Sequence, residues 1–309
     1  MIISPTITFK TEDDMMAIFE GAGVAIVTPF YENGDINFGK LEEYIDFQIN
    51  NSTDAIIICG TTGEASTMTD EEHLECIKIA VDRTAGRVPV IAGTGSNDTR
   101  HGINLTKEAK ALGADATLQV TPYYNKATQK GLIEHFTAIG RATDLPMILY
   151  SVPSRTGVTM NPQTVYELSK YDFVQGIKEA TGNISTVAEI AALCGEHFPI
   201  YSGNDDQIIP ILSLGGKGVI SVLSNVAPKQ THDMVRLYLD GHTKEARDLQ
   251  LRLLPLANVL FCEVNPIPVK AALNLMGMEA GPCRLPLTTL EEAHLPGLKN
   301  ALINAGLLV

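Results

Sequence analysis

The sequence predicts an α/β fold, a closed (β/α)8 TIM barrel of parallel strands with a C-terminal helical extension. Short apolar runs recur eight times, an amphipathic stretch follows each run, and the 309 residues exceed the roughly 250 of a bare barrel. Runs that are apolar at successive positions are typical of parallel strands, which are buried on both faces. The strand candidates are Val24–Val27, Ala55–Cys59, Val88–Ala92, Ala116–Val120, Pro146–Tyr150, Phe173–Ile177, Ile200–Gly203 and Gly218–Val222.

Helical spacing marks the segments between the strand candidates. In the helix predicted over Asp70–Arg83, Thr69 is the expected N-cap, the first turn is acidic, and Leu74, Ile77 and Val81 share one face. The other helix candidates are Phe38–Ile49, Asp98–Leu112, Lys130–Arg141, Pro162–Lys170, Ile184–Cys194, Asp206–Leu214 and Pro228–Leu239. Alternating strands and helices predict a parallel α/β fold.

The strand pattern stops at about Thr243, where helical patterns continue alone. They run through Glu245–Val264, Pro268–Met276 and Leu290–Ala305. We therefore predict an N-terminal arm over 1–20, a barrel over 21–240 and a helical region over 241–309. A doubly wound sheet is the alternative, but no strand candidate leads into GxGxxG or GxxxxGK[ST].

Composition excludes several classes of function. With 23 basic and 36 acidic residues, a net charge of −13 argues against nucleic-acid binding. The longest nearly apolar run, Leu253–Phe261, is shorter than the about 20 residues of a membrane span. Five scattered cysteines and a first segment unlike a signal peptide favour a cytoplasmic location. No spacing of His, Cys or carboxylates predicts a metal site.

Active sites of such barrels lie at the carboxyl ends of the strands. Lys178 directly follows the apolar run Phe173–Ile177. Burial disfavours an ammonium ion, and the neutral amine is a nucleophile that forms a Schiff base with a ketone. The alternative is a strand-end lysine paired with an acid such as Glu179.

Three other strand ends carry polar groups that suit the same chemistry. Thr61 and Thr62 lie between glycines, where hydroxyl and backbone N–H groups can bind a carboxylate or simply form a tight turn. Tyr124 and Tyr150 can transfer protons or pack at the barrel rim. Arg155 suits bidentate recognition of a carboxylate, and otherwise is a surface arginine. Hydroxyls, an arginine and a lysine thus converge on one face.

Together these motifs closely resemble the dihydrodipicolinate synthase family. This family belongs to the pyruvate-dependent class I aldolase-type lyases that include N-acetylneuraminate lyase. The resemblance spans about residues 21 to 307. Its most specific part is the motif that runs from Tyr150 to Arg155. The matching motifs are Gly23–Pro29, Gly60–Glu64, Val90–Gly95, Val120–Asn125, Leu149–Gly157, Gly176–Gly182, Gly218–Val222 and Asn265–Lys270.

The resemblance implies a set of catalytic roles. Lys178 would form the imine with pyruvate, and Thr61, Tyr124 and Tyr150 would form a proton relay. In the family the residue matching Tyr124 reaches in from the neighbouring subunit, so the site requires a tight dimer. A homotetramer built from such dimers is expected. Because the imine itself activates pyruvate, no added cofactor is expected.

The resemblance also implies the substrates and how they bind. Thr62 would hold the carboxylate of pyruvate, and Arg155 that of L-aspartate 4-semialdehyde. Gly203 and the backbone carbonyl of Ile220 are the further expected binding positions. The expected product is 4-hydroxy-tetrahydrodipicolinate, in the first committed step of diaminopimelate and L-lysine biosynthesis.

Many members of the family bind L-lysine as an inhibitor, and this sequence departs from that site. His101 stands where an acidic residue usually receives the lysine amino group, and Asp70 replaces a frequent histidine. A histidine does not pair with an ammonium as a carboxylate does, so we expect weak or absent inhibition. Alternatively, His73 and His101 are merely solvated helix positions. The candidate effector site comprises Ala65, Ser66, Asp70, His73, Asn97, His101 and Tyr123.

Two other functions compete with this prediction. The chain could be a related lyase that acts on a sialic acid or a keto-deoxy sugar acid, but Arg155 favours the synthase. It could also be a non-catalytic binding protein that keeps the barrel. The combination of Lys178, the two threonines, the tyrosines and Arg155 argues against that reading.

Overall fold

A computed structural model describes residues 17–308, which form a closed barrel of eight parallel strands. Each strand pairs with its neighbour in chain order, and the last pairs with the first. The predicted fold class is confirmed. The strands are β1 (Gly21–Ala25), β2 (Ala55–Ile58), β3 (Val90–Gly93), β4 (Ala116–Val120), β5 (Met147–Ser151), β6 (Val174–Glu179), β7 (Ile200–Ser202) and β8 (Gly218–Ser221).

Helices connect the strands on the outside of the barrel. The candidate over Asp206–Leu214 splits into a 3-10 turn at Asp205–Gln207 and a short α-helix. The four-residue helix Pro153–Thr156 was not predicted, because it is too short to show a helical period. The helices are α1 (Phe38–Asn50), α2 (Asp70–Thr84), α3 (Thr99–Ala111), α4 (Gln129–Thr143), α5 (Pro153–Thr156), α6 (Pro162–Ser169), α7 (Ile184–Cys194), α8 (Ile208–Leu212), α9 (Pro228–Leu239), α10 (Thr243–Val259), α11 (Ile267–Leu275) and α12 (Leu295–Asn304).

Strand β1 begins three residues before the predicted run Val24–Val27. Gly21 and Gly23 of β1 explain the shift, because glycines interrupt the apolar pattern and allow close contact between backbones. A Cβ built on Gly218 would lie 1.9 Å from the carbonyl oxygen of Gly21, and Gly218 has a φ of +157°. The barrel therefore closes where side chains do not fit.

The expected cap of α2 is a capping box. The backbone N–H of Glu72 donates to the Thr69 hydroxyl (3.2 Å), and that of Thr69 donates to the Glu72 carboxylate (3.0 Å). Arg284, from the C-terminal region, also binds the Glu72 carboxylate. The start of α2, next to the β2 loop, is therefore held from both sides.

Apolar side chains form one layer inside the barrel and another outside it. The interior layer includes Tyr150, Tyr201 and Ile220, whereas the outer layer packs the strands against the helices. Helix α10 lies against α9 and α12, so the C-terminal helices extend the outer layer. The boundary predicted at residue 240 falls between α9 and α10, and the division into domains stays a prediction.

Two predictions fall partly on residues that the structure does not describe. The predicted arm over 1–20 lies outside the described residues as far as residue 16. Within 17–308, no helix is both long and apolar enough to cross a membrane.

Candidate active site

Lys178 lies in β6, between two tyrosines on neighbouring strands. It pairs in register with Tyr150 of β5 and with Tyr201 of β7. Its side chain is buried, and its Nζ lies 4.4 Å from the centre of the Tyr150 ring. Burial lowers the pKa of Lys178 to about 8; nearby Arg155 acts in the same direction and Asp205 opposes the shift. The neutral, nucleophilic amine is therefore far more populated near neutral pH than it is for an ordinary lysine.

Gly203 leaves the space through which the Lys178 side chain passes. A Cβ on Gly203 would lie 3.2 Å from Cε of Lys178 and 2.6 Å from Cβ of Ala180. Any larger residue at this position would displace the lysine. Ile220 of β8 is buried in the same interior layer as Tyr150, but the expected role of its carbonyl stays a prediction.

The loop after β2 forms a compact turn that exposes Thr61 and buries Thr62. The N–H of Gly63 donates to the carbonyl of Gly60 (3.0 Å). The hydroxyl of Thr62 accepts a hydrogen bond from Nδ2 of Asn265 (3.0 Å). This contact fixes the Thr62 side chain and leaves its hydroxyl proton for another acceptor, such as a carboxylate.

Tyr150 is placed to hold and pass a proton. Burial raises the pKa of its phenol, while Arg155 and the Thr61 hydroxyl oppose the shift. The phenol is therefore protonated at neutral pH, beside the lysine amine. The structure brings Tyr150 and Thr61 together as two members of the expected relay.

Arg155 lies in α5, which begins at Pro153 directly after β5. The guanidinium is exposed and donates through Nη2 to the carbonyl of Asn265 (3.3 Å). Among the described residues it forms no ion pair with a carboxylate. Its charge is thus available to an anionic substrate.

A cavity of about 290 Å³ lies among the carboxyl ends of the strands. Thr61, Tyr150 and Arg155 line it, whereas Lys178 and Thr62 lie outside its lining and are almost fully buried. The volume is suited to small molecules. The same cavity extends to effector-site candidates: Ala65, Ser66, His73, His101 and Tyr123.

Tyr124 differs from the other relay candidates. It is 91% exposed and has a φ of 71°. Asn97 fixes the loop around it, because its side chain donates to the carbonyl of Tyr123 (3.2 Å) and its carbonyl accepts from Asn125 (2.9 Å). The structure therefore orders the loop but does not bring the Tyr124 side chain into the site of its own chain.

Two histidines of the candidate effector site have different surroundings. Nε2 of His101 lies 2.9 Å from the Asp70 carboxylate, and its Nδ1 lies 3.1 Å from the Ser96 hydroxyl. His73 is buried with Nε2 2.8 Å from the carbonyl of Gly93, and burial lowers its pKa. The alternative that His73 is a solvated helix position is therefore wrong, since its ring is enclosed by the β3 end.

Comparison with known proteins identifies the family. The model of the dihydrodipicolinate synthetase family matches residues 18–305. The chain is 62% identical to a 4-hydroxy-tetrahydrodipicolinate synthase of Lachnoclostridium phytofermentans, over 95% of this chain and 100% of the relative. It is 58% identical to that of Caldicellulosiruptor bescii, over 95% and 99% of the two chains. The chain belongs to the dihydrodipicolinate synthetase family.

Solved structures of the family agree with the fold. A dihydrodipicolinate synthase from Aquifex aeolicus superposes with a TM-score of 0.92 at 44% identity, over 94% of this chain and 99% of that one. The lysine-bound enzyme from Cyanidioschyzon merolae gives a TM-score of 0.92 at 42% identity, over 95% and 100%.

The sequence predictions missed residues that support this family's site. Asp205, just after β7, is fully enclosed and accepts from the Ser221 hydroxyl (2.6 Å) and from the N–H groups of Val222 and Leu223 (3.0 and 2.9 Å). It thereby holds the carboxyl end of β8 beside Lys178. Its position two residues after Gly203, at a strand end, was the available signal.

Asn265 is the second residue that was missed. It lies in a matching motif, Asn265–Lys270, to which the sequence attached no role. In the structure it contacts both Thr62 and Arg155, and its own Oδ1 is buried without a hydrogen-bond partner among the described residues. It therefore links the two carboxylate-binding candidates.

A possible metal-ligand group lies away from this site. Ligand atoms of Glu263, Glu291 and His294 come within 4.8 Å of one another in the described part of the chain. The Glu263 carboxylate already accepts from the N–H of Glu291 (2.9 Å) and from Nδ1 of His294 (2.7 Å). These contacts account for the cluster as a local turn, and the predicted lack of a metal site stays a prediction.

Proposed function

We propose that this chain condenses pyruvate with L-aspartate 4-semialdehyde through a Schiff base on Lys178, giving 4-hydroxy-tetrahydrodipicolinate. Family membership supports the overall reaction. The observation that carries the mechanism is a buried lysine with a pKa lowered to about 8 at the carboxyl end of β6. A neutral amine in an enclosed site attacks a ketone readily.

The reaction begins with attack of Nζ of Lys178 on the keto carbon of pyruvate. Water leaves, and the protonated imine withdraws electrons from the methyl group. The proposed relay of Thr61, Tyr124 and Tyr150 removes a methyl proton, which gives an enamine. The enamine carbon then attacks the aldehyde carbon of the second substrate. The new alkoxide takes a proton through Tyr150 and Thr61. The substrate's own amine then displaces Lys178, which closes the ring and frees the enzyme.

Two carboxylate positions fit the two substrates. Thr62 and the glycine-rich loop would hold the carboxylate of pyruvate, and Arg155 would hold that of the aldehyde. A bidentate arginine recognises a carboxylate well, which supports an aldehyde substrate that carries one. This position favours the semialdehyde over a sialic acid or keto-deoxy sugar acid.

We propose that the working unit is a dimer, and that two tight dimers form a tetramer. The 91% exposure of Tyr124 supports this proposal, since a relay residue needs a buried site. A related structure bears the description of the first monomeric dihydrodipicolinate synthase variant. In a dimer, Tyr124 would complete the relay of the partner subunit.

Two further expectations accompany the mechanism. The imine on Lys178 supplies the electron sink, so we propose that no added cofactor takes part. We also propose a cytoplasmic location, which five cysteines without disulfides support.

Two measurements test this function. Borohydride reduction in the presence of pyruvate should give a covalent adduct on Lys178, detected by peptide mass. A coupled assay should show turnover with pyruvate and aspartate semialdehyde but no cleavage of N-acetylneuraminate. An adduct on another residue would contradict the mechanism, and neuraminate cleavage would favour the related lyase.

A further inference from the structure

The conformation of the loop Gly60–Glu64 depends on its last residue. Glu64 has a φ of 56°, which is uncommon for a residue with a side chain. Its N–H donates to the carbonyl of Thr61 (3.1 Å), and its carbonyl accepts from the N–H of Thr67 (3.0 Å). The orientation of both threonines therefore depends on what holds Glu64 in this conformation.

A buried ion pair holds it. The Glu64 carboxylate accepts from Nζ of Lys270 (2.9 Å) and from the N–H of Arg284 (2.9 Å). Lys270 also donates to the carbonyls of Thr28 (3.0 Å) and Pro282 (2.5 Å). All three ammonium protons are thus used, and the two charged side chains are 2% and 1% exposed.

A buried ion pair adds little net stability compared with apolar residues, because desolvation of both charges offsets their attraction. What such a pair can supply is a defined geometry, since a carboxylate displaced from its ammonium is left unpaired. The Glu64–Lys270 pair connects α11 of the C-terminal region to a loop that lies 206 residues earlier in the chain.

The segment that leads into α11 also contacts the residues proposed to bind the substrates. Asn265, five residues before Lys270, donates to the Thr62 hydroxyl and accepts from Arg155. A shift of α11 would therefore move the support of both carboxylate-binding candidates together.

We infer that Lys270 and Glu64 are positioning residues: their buried ion pair sets the conformation in which Thr61 and Thr62 receive pyruvate. The inference rests on the proposed function for its kinetic consequence. It makes the C-terminal helical region part of the active-site architecture, although that region contributes no strand to the barrel.

The test uses the double variant Glu64→Gln/Lys270→Met in the full chain. Lys270→Met alone would leave a buried carboxylate unpaired and unfold the chain or the loop, whereas the double variant removes both charges with similar volumes. The matched control is Asp54→Asn, which weakens the Asp54–His232 pair (2.8 Å) at the amino end of β2, away from the substrates.

The double variant is expected to raise the KM for pyruvate about ten- to hundredfold, because small misplacements of binding groups are costly. Asp54→Asn should leave that KM within about twofold of the parent value. Hydrogen exchange of the backbone amides of 60–64, measured without substrate, should be faster in the double variant and unchanged in the control.

An unchanged KM together with unchanged exchange in the loop would overturn the inference. The inference would also be overturned if borohydride trapped fewer active sites in the double variant but those sites kept the parent KM. That result would indicate a purely structural role. If the parent protein forms no pyruvate adduct on Lys178, the proposed function fails. The exchange measurement then still decides whether the ion pair holds the loop.

Discussion

Lys178, the expected nucleophile, and Tyr124, a member of the expected proton relay, have opposite surroundings. Lys178 lies between β5 and β7, beside Tyr150, and its side chain passes through the space that Gly203 leaves open. Tyr124 is 91% exposed on a loop that Asn97 orders. One group is therefore preorganised within a single chain, while the other has an ordered backbone and an exposed side chain.

This difference separates two kinds of requirement. The nucleophile needs desolvation, which the barrel interior supplies as soon as the chain folds. In the proposed relay the third hydroxyl, that of Tyr124, would come from a second chain. Chemistry at Lys178 should thus survive changes that abolish the contribution of Tyr124.

The largest effect is expected for Lys178→Ala. The variant lacks the amine proposed to form the imine, so turnover should fall by at least about a thousandfold, and borohydride should trap no pyruvate adduct. Rates are measured in the coupled assay and adducts by intact mass. Lys130→Ala is the control, because Lys130 is an exposed lysine on α4. A retained adduct in Lys178→Ala would place the nucleophile elsewhere.

Tyr124→Phe should lower kcat about a hundredfold, since positioned proton transfer contributes in that range. Adduct formation with pyruvate should be affected much less, because Lys178 is enclosed by its own chain. Steady-state kinetics and borohydride trapping separate the two steps. Tyr31→Phe, at another exposed tyrosine, should behave like the parent. A native-like kcat in Tyr124→Phe would count against the shared site.

Arg155→Ala should mainly weaken use of the aldehyde. Losing a charge-assisted pair of hydrogen bonds is expected to raise the KM for aspartate semialdehyde roughly ten- to hundredfold. The KM for pyruvate should change little, as Thr62 is the residue proposed to bind that carboxylate. Arg100→Ala, an exposed arginine on α3, provides the control. Equal losses for both substrates would mean that Arg155 does not distinguish them.

The pH dependence of imine formation tests the environment of Lys178. The neutral amine reacts and the ammonium does not, so the rate should rise with pH and reach its half-maximum near the pKa of about 8. Arg155 lowers that pKa, so Arg155→Ala should move the midpoint to higher pH. Single-turnover trapping with pyruvate from pH 6 to about 10 measures both curves. A midpoint close to that of free lysine would contradict burial of the amine.

Much of the architecture follows from local pattern. The eight apolar runs gave the strands, and helices α2, α7 and α9 begin where the sequence predicts them. Lys178 was recognised because a charged residue follows an apolar run. The start of β1 was misplaced, since the glycines that permit its close contact with β8 carry no apolar signal.

Contacts between distant residues could not be predicted in the same way. Asn265 and Thr62 are 203 residues apart, and no local period links them. The buried pair of Glu64 and Lys270 is equally remote. Such contacts depend on how the C-terminal helices dock on the closed barrel, which one sequence does not specify.

The smallest expected effect concerns L-lysine and the far side of the same cavity. An ammonium ligand needs a carboxylate, but here His101 occupies the expected acidic position and itself contacts Asp70 (2.9 Å). We therefore expect millimolar lysine to change the initial rate little. His101→Glu should introduce inhibition, because a second carboxylate beside Asp70 attracts an ammonium, while His101→Gln should not. Potent inhibition of the parent by micromolar lysine would show that the neighbouring groups bind the amine without an acid at this position.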